Sequence, residues 1–582
     1  MFPKVSIIIP VYKGSNYMRE AIDSALAQTY NNIEVIVIND GSPDNGETER
    51  IALSYGNRIR YFSKENGGCA SALNVGIQNM QGEYFSWLSH DDVYLPNKVE
   101  HQISILSKLD NKNTILYCGY ELINKKSHSL YFVRPEDRYS KEKLDIPLFP
   151  LLRGLIHGCA LLIPAKYFKE VGLFDETLKH TQDYDLWFKL FRIAPIHFDS
   201  EVLIKSREHP EQSTRVVPNQ LEECEVLWSG FLKKITKEEM IRIEGSTHEF
   251  LYRISAFLKQ TGYIKSSELA LSMADKEAIK VKISVIIPVY NAINFAIQAI
   301  ESVLVQTHEN FELIVINDGS TEDTTKLQEI CQKDPKIIYI TQRNKGPAAA
   351  RNEGIEKATG EYIAFLDATD LFMLNKLKDQ LKFMGENIFK FSHTSYEEID
   401  LLNRSLKYIP SGTFSGKIFP RIIYYNPIAT STVMVKSSLL KENKFPETVR
   451  EGEDRCLWVA LSGKNLLGGD DSVLSKVRVD TSLPKHAISK KESLRTINVA
   501  AFVANDEYLS EFSSLLIYSL SKAMKHLKYL KKKGVIGKVL IENDYNRPMS
   551  LIAAAIYSLK KQGIRATIIK IFRWIRKRIN ER

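Results

Sequence analysis

Val5-Ser6-Ile7-Ile8-Ile9-Pro10-Val11-Tyr12 returns 278 positions later as Ile283-Ser284-Val285-Ile286-Ile287-Pro288-Val289-Tyr290. Each is a continuous apolar, β-branched run, the composition of a parallel strand buried on both faces. A helix is predicted to follow in each copy, because Met18, Ala21, Ile22, Ala25 and Leu26, and again Ala296, Ala299, Ile300, Val303 and Leu304, fall three and four apart. A second apolar run, Val35 to Ile38 or Leu313 to Ile316, then leads into Asn39-Asp40-Gly41-Ser42 or Asn317-Asp318-Gly319-Ser320. Strand, helix, strand is a βαβ unit, and such sheets bind ligands beyond the carboxyl ends of their strands. Those ends carry Pro10, Tyr12 and Asp40 in copy one, and Pro288, Tyr290 and Asp318 in copy two.

The offset of 278 still relates Gly82-Glu83-Tyr84 to Gly360-Glu361-Tyr362, whereas Asp183 and Trp187 match Asp454 and Trp458 at an offset of 271. A repeat this long is a duplicated domain rather than a solenoid unit. The expected architecture is α/β, with two Rossmann-like domains at 1–218 and 281–490, a helical connector at 219–280 and a basic helical segment at 491–582.

A chain of 582 residues with 44% hydrophobic and 26% charged residues has the composition of a soluble protein of two or three domains. The most apolar stretch, Ile146 to Phe168, is broken by Arg153, His157 and Lys166 well short of a membrane span. Met1-Phe2-Pro3-Lys4 runs straight into a strand instead of a secretory signal, so a cytoplasmic location is expected. The six cysteines stand singly at 69, 118, 159, 224, 331 and 456, without the spacing of a zinc or disulfide framework, and are expected to be free buried thiols.

The net charge of +9 is unevenly spread. Lys522 to Arg582 holds seventeen Lys or Arg against Glu542, Asp544 and Glu581, about +14, which leaves about −5 for the rest of the chain. This argues against a nucleic-acid-binding body. Within that tail, Ile564 to Ile579 places Ile564, Ile568, Ile571, Phe572, Ile575 and Ile579 on one helical face and basic residues largely off it. Such a helix suits either peripheral attachment to an anionic membrane surface or docking on its own domain with a solvated basic face.

Five features occur twice in the same order: the Ile-Pro-Val-Tyr strand end, the Asn-Asp-Gly-Ser turn, Asn66-Gly67-Gly68 or Asn344-Lys345-Gly346 ahead of a helix, an acidic cluster after Gly-Glu-Tyr, and a late Asp before Trp. In these both copies resemble the family 2 glycosyltransferases, inverting enzymes of the GT-A fold, over nearly all of residues 3–215 and 281–485. The resemblance implies a nucleoside diphosphate sugar, a UDP-sugar first, as donor and a hydroxyl of a bacterial surface glycan or lipid-linked glycan as acceptor. It implies donor contacts from Pro10, Tyr12, Asp40, Gly67 and Asp92 in copy one, and from Pro288, Tyr290, Asp318, Gly346 and Asp367 in copy two. Alone, Asp40 reads as a turn aspartate before glycine; beside Tyr12 it reads as the partner of a nucleotide base stacked on that ring.

Loss of a diphosphate leaves charge that a divalent cation on hard oxygen ligands neutralises. Trp87-Leu88-Ser89-His90-Asp91-Asp92 stands where the family has Asp-x-Asp, with Ser89 in place of the first aspartate. The resemblance implies Mn²⁺ or Mg²⁺ on Asp91, with His209 completing the site. Copy two reads Asp367-Ala368-Thr369-Asp370, with Thr369 in the metal position and Asp480 in place of His209, so Asp370 and Asp480 are the remaining candidate ligands.

Direct displacement at an anomeric carbon also needs a base for the acceptor hydroxyl. Asp183 of Gln182-Asp183-Tyr184 and Asp454 of Glu453-Asp454-Arg455 match the family's Glu-Asp motif and are assigned that role by resemblance. His157 reads equally as an acceptor-side residue and as a packed core histidine. Trp87, Trp187 and Trp458 read as core. No Gly-x-Gly-x-x-Gly follows the first strand, which argues against a dehydrogenase, and Tyr12-Lys13-Gly14-Ser15 is too poor in glycine for a nucleotidyltransferase triphosphate loop. Two functional expectations follow: a bifunctional enzyme, or an enzyme in which copy one catalyses and copy two binds.

Overall fold

The computed structural model describes residues 3–210, 220–423, 425–449 and 451–482, together with a few positions between 492 and 503. The chain divides into two compact units, Met1–Ala274 and a second beginning at Asp275.

In the first unit, β1 (Val5–Val11) is buried at every position and pairs in parallel with β2 (Ile33–Asp40). With β3 (Arg60–Lys64), β4 (Tyr84–Trp87) and β8 (Ile163–Pro164) they form a sheet of order β3-β2-β1-β4-β8. A second sheet has the order β5-β9-β6-β7, from β5 (Val93–Tyr94), β6 (Ile115–Asn124), β7 (Ser129–Val133) and β9 (Ile196–Glu208). The predicted helix is Met18–Leu26, which buries Met18, Ala21, Ile22 and Ala25. The helix Cys69–Asn79 lies so close over β1 that a Cβ at Gly76 would sit 2.4 Å from the Ile8 side chain. Gly41, at φ +65°, makes the turn out of β2, a backbone conformation that side chains disfavour.

The second unit repeats this plan. Its strands are β10 (Ile283–Val289), β11 (Phe311–Asn317), β12 (Ile337–Thr341), β13 (Tyr362–Phe365), β14 (Leu371–Phe372), β15 (Phe391–Ile399), β16 (Ser405–Ile409), β17 (Met434–Lys436) and β18 (Gly468–Arg478). They follow the order β12-β11-β10-β13-β17-β15-β18-β14, with β16 on β15. Here β15 pairs with β17 and fuses the two sheets into one, whereas the first unit has only a bridge between Leu116 and Leu162 at that junction.

The expected connector differs from the structure. Helix Gln220–Lys234 buries Cys224, Trp228, Phe231 and Leu232, and Phe231 stacks on Phe188 at 4.1 Å. Glu244, its side chain only 2% exposed, holds Lys143, Arg153 and Arg253 at 2.6–2.8 Å. These contacts make the helices after residue 219 part of the first unit, because their apolar stripes have a core to cover. Similarly Val499 and Val503, beyond the expected end of copy two at 490, are buried in the core that contains Trp458.

Among the described residues no helix is long and apolar enough to cross a membrane. The basic tail, with Ile564 to Ile579, lies outside the described residues.

Candidate functional site

The residues predicted for copy one come from six chain segments, at Tyr12, Asp40, Gly67, Asp91, Asp183 and His209. Tyr12, one residue past β1, is 43% exposed, leaving a ring open for stacking. Asp40 is buried, and its carboxylate accepts from Lys64 Nζ at 2.9 Å, the Gly67 amide at 3.0 Å, the Gly68 amide at 2.8 Å and Asn66 Nδ2 at 3.3 Å. All the acceptor positions of this carboxylate are therefore taken by the loop that precedes helix Cys69–Asn79. Asp318 does the same for Gln342 Nε2, the Lys345 amide and the Gly346 amide. Tyr290, at 52% exposed, matches Tyr12. Pro10 and Pro288 pair with Ile38 and Ile316 within the parallel ladders and set the strand ends.

The neighbours Asp91 and Asp92 face opposite ways. Asp91 Oδ2 lies 2.9 Å from His209 Nε2. Asp92 turns inward, where Oδ1 accepts the Arg207 amide at 2.8 Å and Oδ2 lies 3.3 Å from Cys159 Sγ and 3.8 Å from His157 Nε2. Burial, then the charge of Asp91, pushes the Asp92 carboxyl well above the usual range. Asp92 thus supports the loop from behind rather than facing a donor.

Asp92, His157 and Cys159 form a trio of possible ligand atoms within 4.8 Å of one another. The hydrogen bonds argue for a proton-sharing cluster instead. His157 Nδ1 accepts from the Cys159 amide, which puts the ring proton of a neutral imidazole on Nε2, the atom that faces Asp92 and Ser206 Oγ. Burial holds that imidazole neutral, at about 4.

Arg207 buttresses the Asp91 loop, a role that sequence reasoning did not assign it. It is 1% exposed; Nε donates to the Asp91 carbonyl at 2.8 Å and Nη2 to Glu20 at 2.6 Å, while the guanidinium lies over Tyr17. Arg478 does the same in the second unit, its amide donating to Asp370 Oδ1 at 2.9 Å and its Nη1 to the Thr369 carbonyl. Their shared offset of 271 was the available signal.

Asp183 lies in the first turn of helix Gln182–Ile193. Its Oδ1 accepts the Tyr184 amide at 2.8 Å, and among the described residues Oδ2 has no hydrogen-bond partner. Burial raises the carboxyl to about 6. Cys69, the first residue of its helix, is exposed, unlike the other five cysteines and against the expectation of buried thiols throughout. Its thiol is pushed up to about 12 by desolvation and then by the charges of Asp183, Asp40 and Asp91. Carboxylates from three segments therefore lie near enough to act on this one thiol. Trp87, Trp187 and Trp458 are buried.

The second unit is built differently at the same place. Arg351, 5% exposed, donates to Asp367 at 2.7 Å and to Glu453 at 2.8 Å. Copy one has Leu73, Ser89 and Gln182 at these three positions. Asp454 Oδ1 accepts the Arg455 amide, and its Oδ2 accepts the Thr430 hydroxyl at 2.9 Å. Asp370 is buried and accepts from Ser431 at 2.6 Å as well as from the Arg478 amide. Asp480 closes a turn on Ser482 at 2.6 and 2.9 Å. The structure does not bring Asp367, Asp370 and Asp480 together as ligands: among the described residues no trio drawn wholly from the second unit falls within 4.8 Å. The side chain replacing His209 is spent on its own turn.

Residues 6–171 and 284–425 match the model of Glycosyl transferase family 2. This chain is a family 2 glycosyltransferase. It is 56% identical over 589 residues to an uncharacterized glycosyltransferase of Rickettsia felis, covering 99% of this chain and 98% of that one. It is 32% identical over 256 residues to the Escherichia coli UDP-Glc:alpha-D-GlcNAc-diphosphoundecaprenol beta-1,3-glucosyltransferase WfaP, across 42% of this chain and 95% of that protein. Among solved structures it is similar to S. aureus TarS 1-349 in complex with UDP, with a TM-score of 0.34, 20% identity, and coverage of 47% of this chain and 79% of that one. The glycosyltransferase thus carries two family 2 regions in an α/β framework, each ending its first strand at an exposed tyrosine.

Proposed function

We propose that the first unit transfers a sugar with inversion from a nucleoside diphosphate sugar to a hydroxyl of a bacterial surface glycan or its lipid-linked precursor. The observation that carries this reading is the pairing of Asp91 with His209, together with Asp183, whose Oδ2 has no hydrogen-bond partner among the described residues; the charges of both aspartates act on the Cys69 thiol. The relative WfaP uses UDP-Glc and a diphosphoundecaprenol-linked acceptor, which favours a UDP-sugar and a lipid-linked glycan here.

The residues present fit a divalent cation. Asp91 Oδ2 and His209 Nε2 are separated by 2.9 Å, the spacing of adjacent ligands on one ion, and the buried imidazole favours Mn²⁺ over the oxygen-seeking Mg²⁺. When bound there, the ion would neutralise charge developing on the departing diphosphate. The protein's own groups do the rest. Tyr12 offers its face to the base. The Asp183 carboxylate takes the acceptor proton on Oδ2 as the acceptor oxygen forms its bond to the anomeric carbon. The bond to the diphosphate breaks with its electron pair retained by the diphosphate oxygen.

The second unit is read as a donor- or acceptor-binding module rather than a second catalyst, because Asp454 Oδ2 is engaged by Thr430, Thr369 stands in place of Asp91, and Asp480, in place of His209, closes a turn on Ser482. The test is release of nucleoside diphosphate from a panel of nucleotide sugars with Mn²⁺, using the full chain, Asp91→Ala and Asp454→Ala. Loss with Asp91→Ala and retention with Asp454→Ala on short acceptors are expected. Two separable transfers, each removed by one variant, would replace this reading with the bifunctional one.

A further inference from the structure

Helix Gln182–Ile193 carries the base, yet its N-cap residue, Thr181, makes no side-chain capping bond to it. The hydroxyl of Thr181 points instead to Glu223, on helix Gln220–Lys234. Glu223 Oε1 accepts from the His180 amide, the Thr181 amide and the Thr181 hydroxyl, each at 2.8 Å, and Oε2 accepts the Lys179 amide at 3.1 Å. One side chain thereby satisfies three successive backbone donors immediately ahead of Gln182 and Asp183. Burial raises this carboxyl, but the four bonds outweigh it and leave the group below its usual range, hence charged. The helix that presents it is fixed by Phe231 stacked on Phe188 and by Trp228 against Tyr184.

The second unit supplies an internal comparison. There Asn498 donates a single bond of 2.8 Å to the Glu451 carbonyl, three residues before Asp454, and Val499 and Val503 occupy the buried face next to it. Among the described residues, a carboxylate that gathers the amides ahead of the helix is found in the first unit and not in the second. Charge-assisted bonds of this kind are about twice as strong as neutral ones and fix backbone direction.

We propose that Glu223 is a positioning residue for the base Asp183: reaching in from the segment after copy one, it locks the 179–181 backbone so that Asp183 Oδ2 faces the site. This rests on the reading of Asp183 as the base, and Cys69 allows the two to be tested apart. The exposed Cys69 thiol feels Asp183 most among its charged neighbours. Its alkylation by iodoacetamide at pH 8–9, followed by mass spectrometry of its peptide in the full chain, reports where that carboxylate lies without any knowledge of the sugar.

Asp183→Asn is expected to raise the labelling rate several-fold, Glu223→Ala to raise it by a similar factor, and Glu223→Gln, which keeps an acceptor oxygen but not the charge, to fall between. The double variant should label at the Asp183→Asn rate, because a carboxylate already removed cannot be displaced. In turnover, Glu223→Ala should lower kcat at unchanged KM for the donor and move the acid limb to lower pH as Asp183 becomes hydrated. Wild-type labelling in Glu223→Ala alongside faster labelling in Asp183→Asn would overturn the positioning role alone. A further rise in the double variant would also overturn it, showing mere loosening of the cleft. No change in Asp183→Asn would remove Asp183 from this site and take the proposal with it.

Discussion

The same carboxylate, at the head of the same helix, is treated in opposite ways by the two units. Among the described residues Asp183 keeps one oxygen without a hydrogen-bond partner and follows a backbone turn bound by Glu223, whereas Asp454 gives that oxygen to Thr430 and sits beside Glu453, which is held from inside by Arg351. The two units share the scaffold and differ at the site. A base needs an open lone pair directed at the acceptor, and a helix terminus alone does not provide one.

Breaking this comparison is simplest at the base itself. Asp183→Asn is expected to cut transfer by about 10³-fold, the usual worth of a general base, while Asp454→Asn changes kcat on short acceptors by less than about twofold. Initial rates of nucleoside diphosphate release measure both, and equal losses would make the copies equivalent. Next in size, Asp91→Ala should cost about 10²-fold and abolish binding of Mn²⁺ followed by electron paramagnetic resonance in the presence of UDP. Thr369→Asp with Asp480→His, which gives copy two the residues of copy one, should raise the stoichiometry from about one ion per chain to about two.

A third comparison concerns stability. Arg351 is buried between Asp367 and Glu453, and the latter is itself 9% exposed. Removing the cation alone strands a buried acid, so Arg351→Leu should destabilise the second unit by about 3 kcal/mol. Converting Arg351, Asp367 and Glu453 together to Leu, Ser and Gln, the residues of copy one, should restore most of that, because a buried ion triad and an apolar substitute are often of similar stability. Chemical denaturation of the full chain, following the second unit's transition, tests this. A triple variant as unstable as the single would mean that the triad holds the helix bearing Asp454 in a way that Leu73 cannot.

Much of this was legible in the sequence. The repeat, the βαβ order and the exposed strand-end tyrosines follow from apolar periodicity and from one offset. The Asp91 and His209 pair, 118 residues apart, was readable because both matched one family pattern. What stayed hidden are juxtapositions that no spacing encodes. Asp91 and Asp92 look alike in a row, but one faces the site and the other the core. Ser89 was legible only as a departure from the family's first aspartate; the structure shows that Asp367 is the partner of Arg351 and that copy one has neither member, with Leu73 and Ser89 at those positions. Glu223 lay in a stretch whose helical pattern was plain, but whose amphipathic face gave no hint of what it would cover.

The smallest effect is on pH, and it sharpens the comparison without a large lesion. Burial disfavours the charged form of Asp183 and brings its carboxyl up to about 6. A base works only when deprotonated, so kcat should rise with pH through about 6, level off above it, and fall about tenfold per unit below. That limb should persist in Asp454→Asn if turnover belongs to copy one, as proposed. An acid limb displaced to the range of an ordinary solvated carboxylate would mean that the proton goes to some more exposed acid, and the contrast between an open and an engaged carboxylate would no longer explain which unit works.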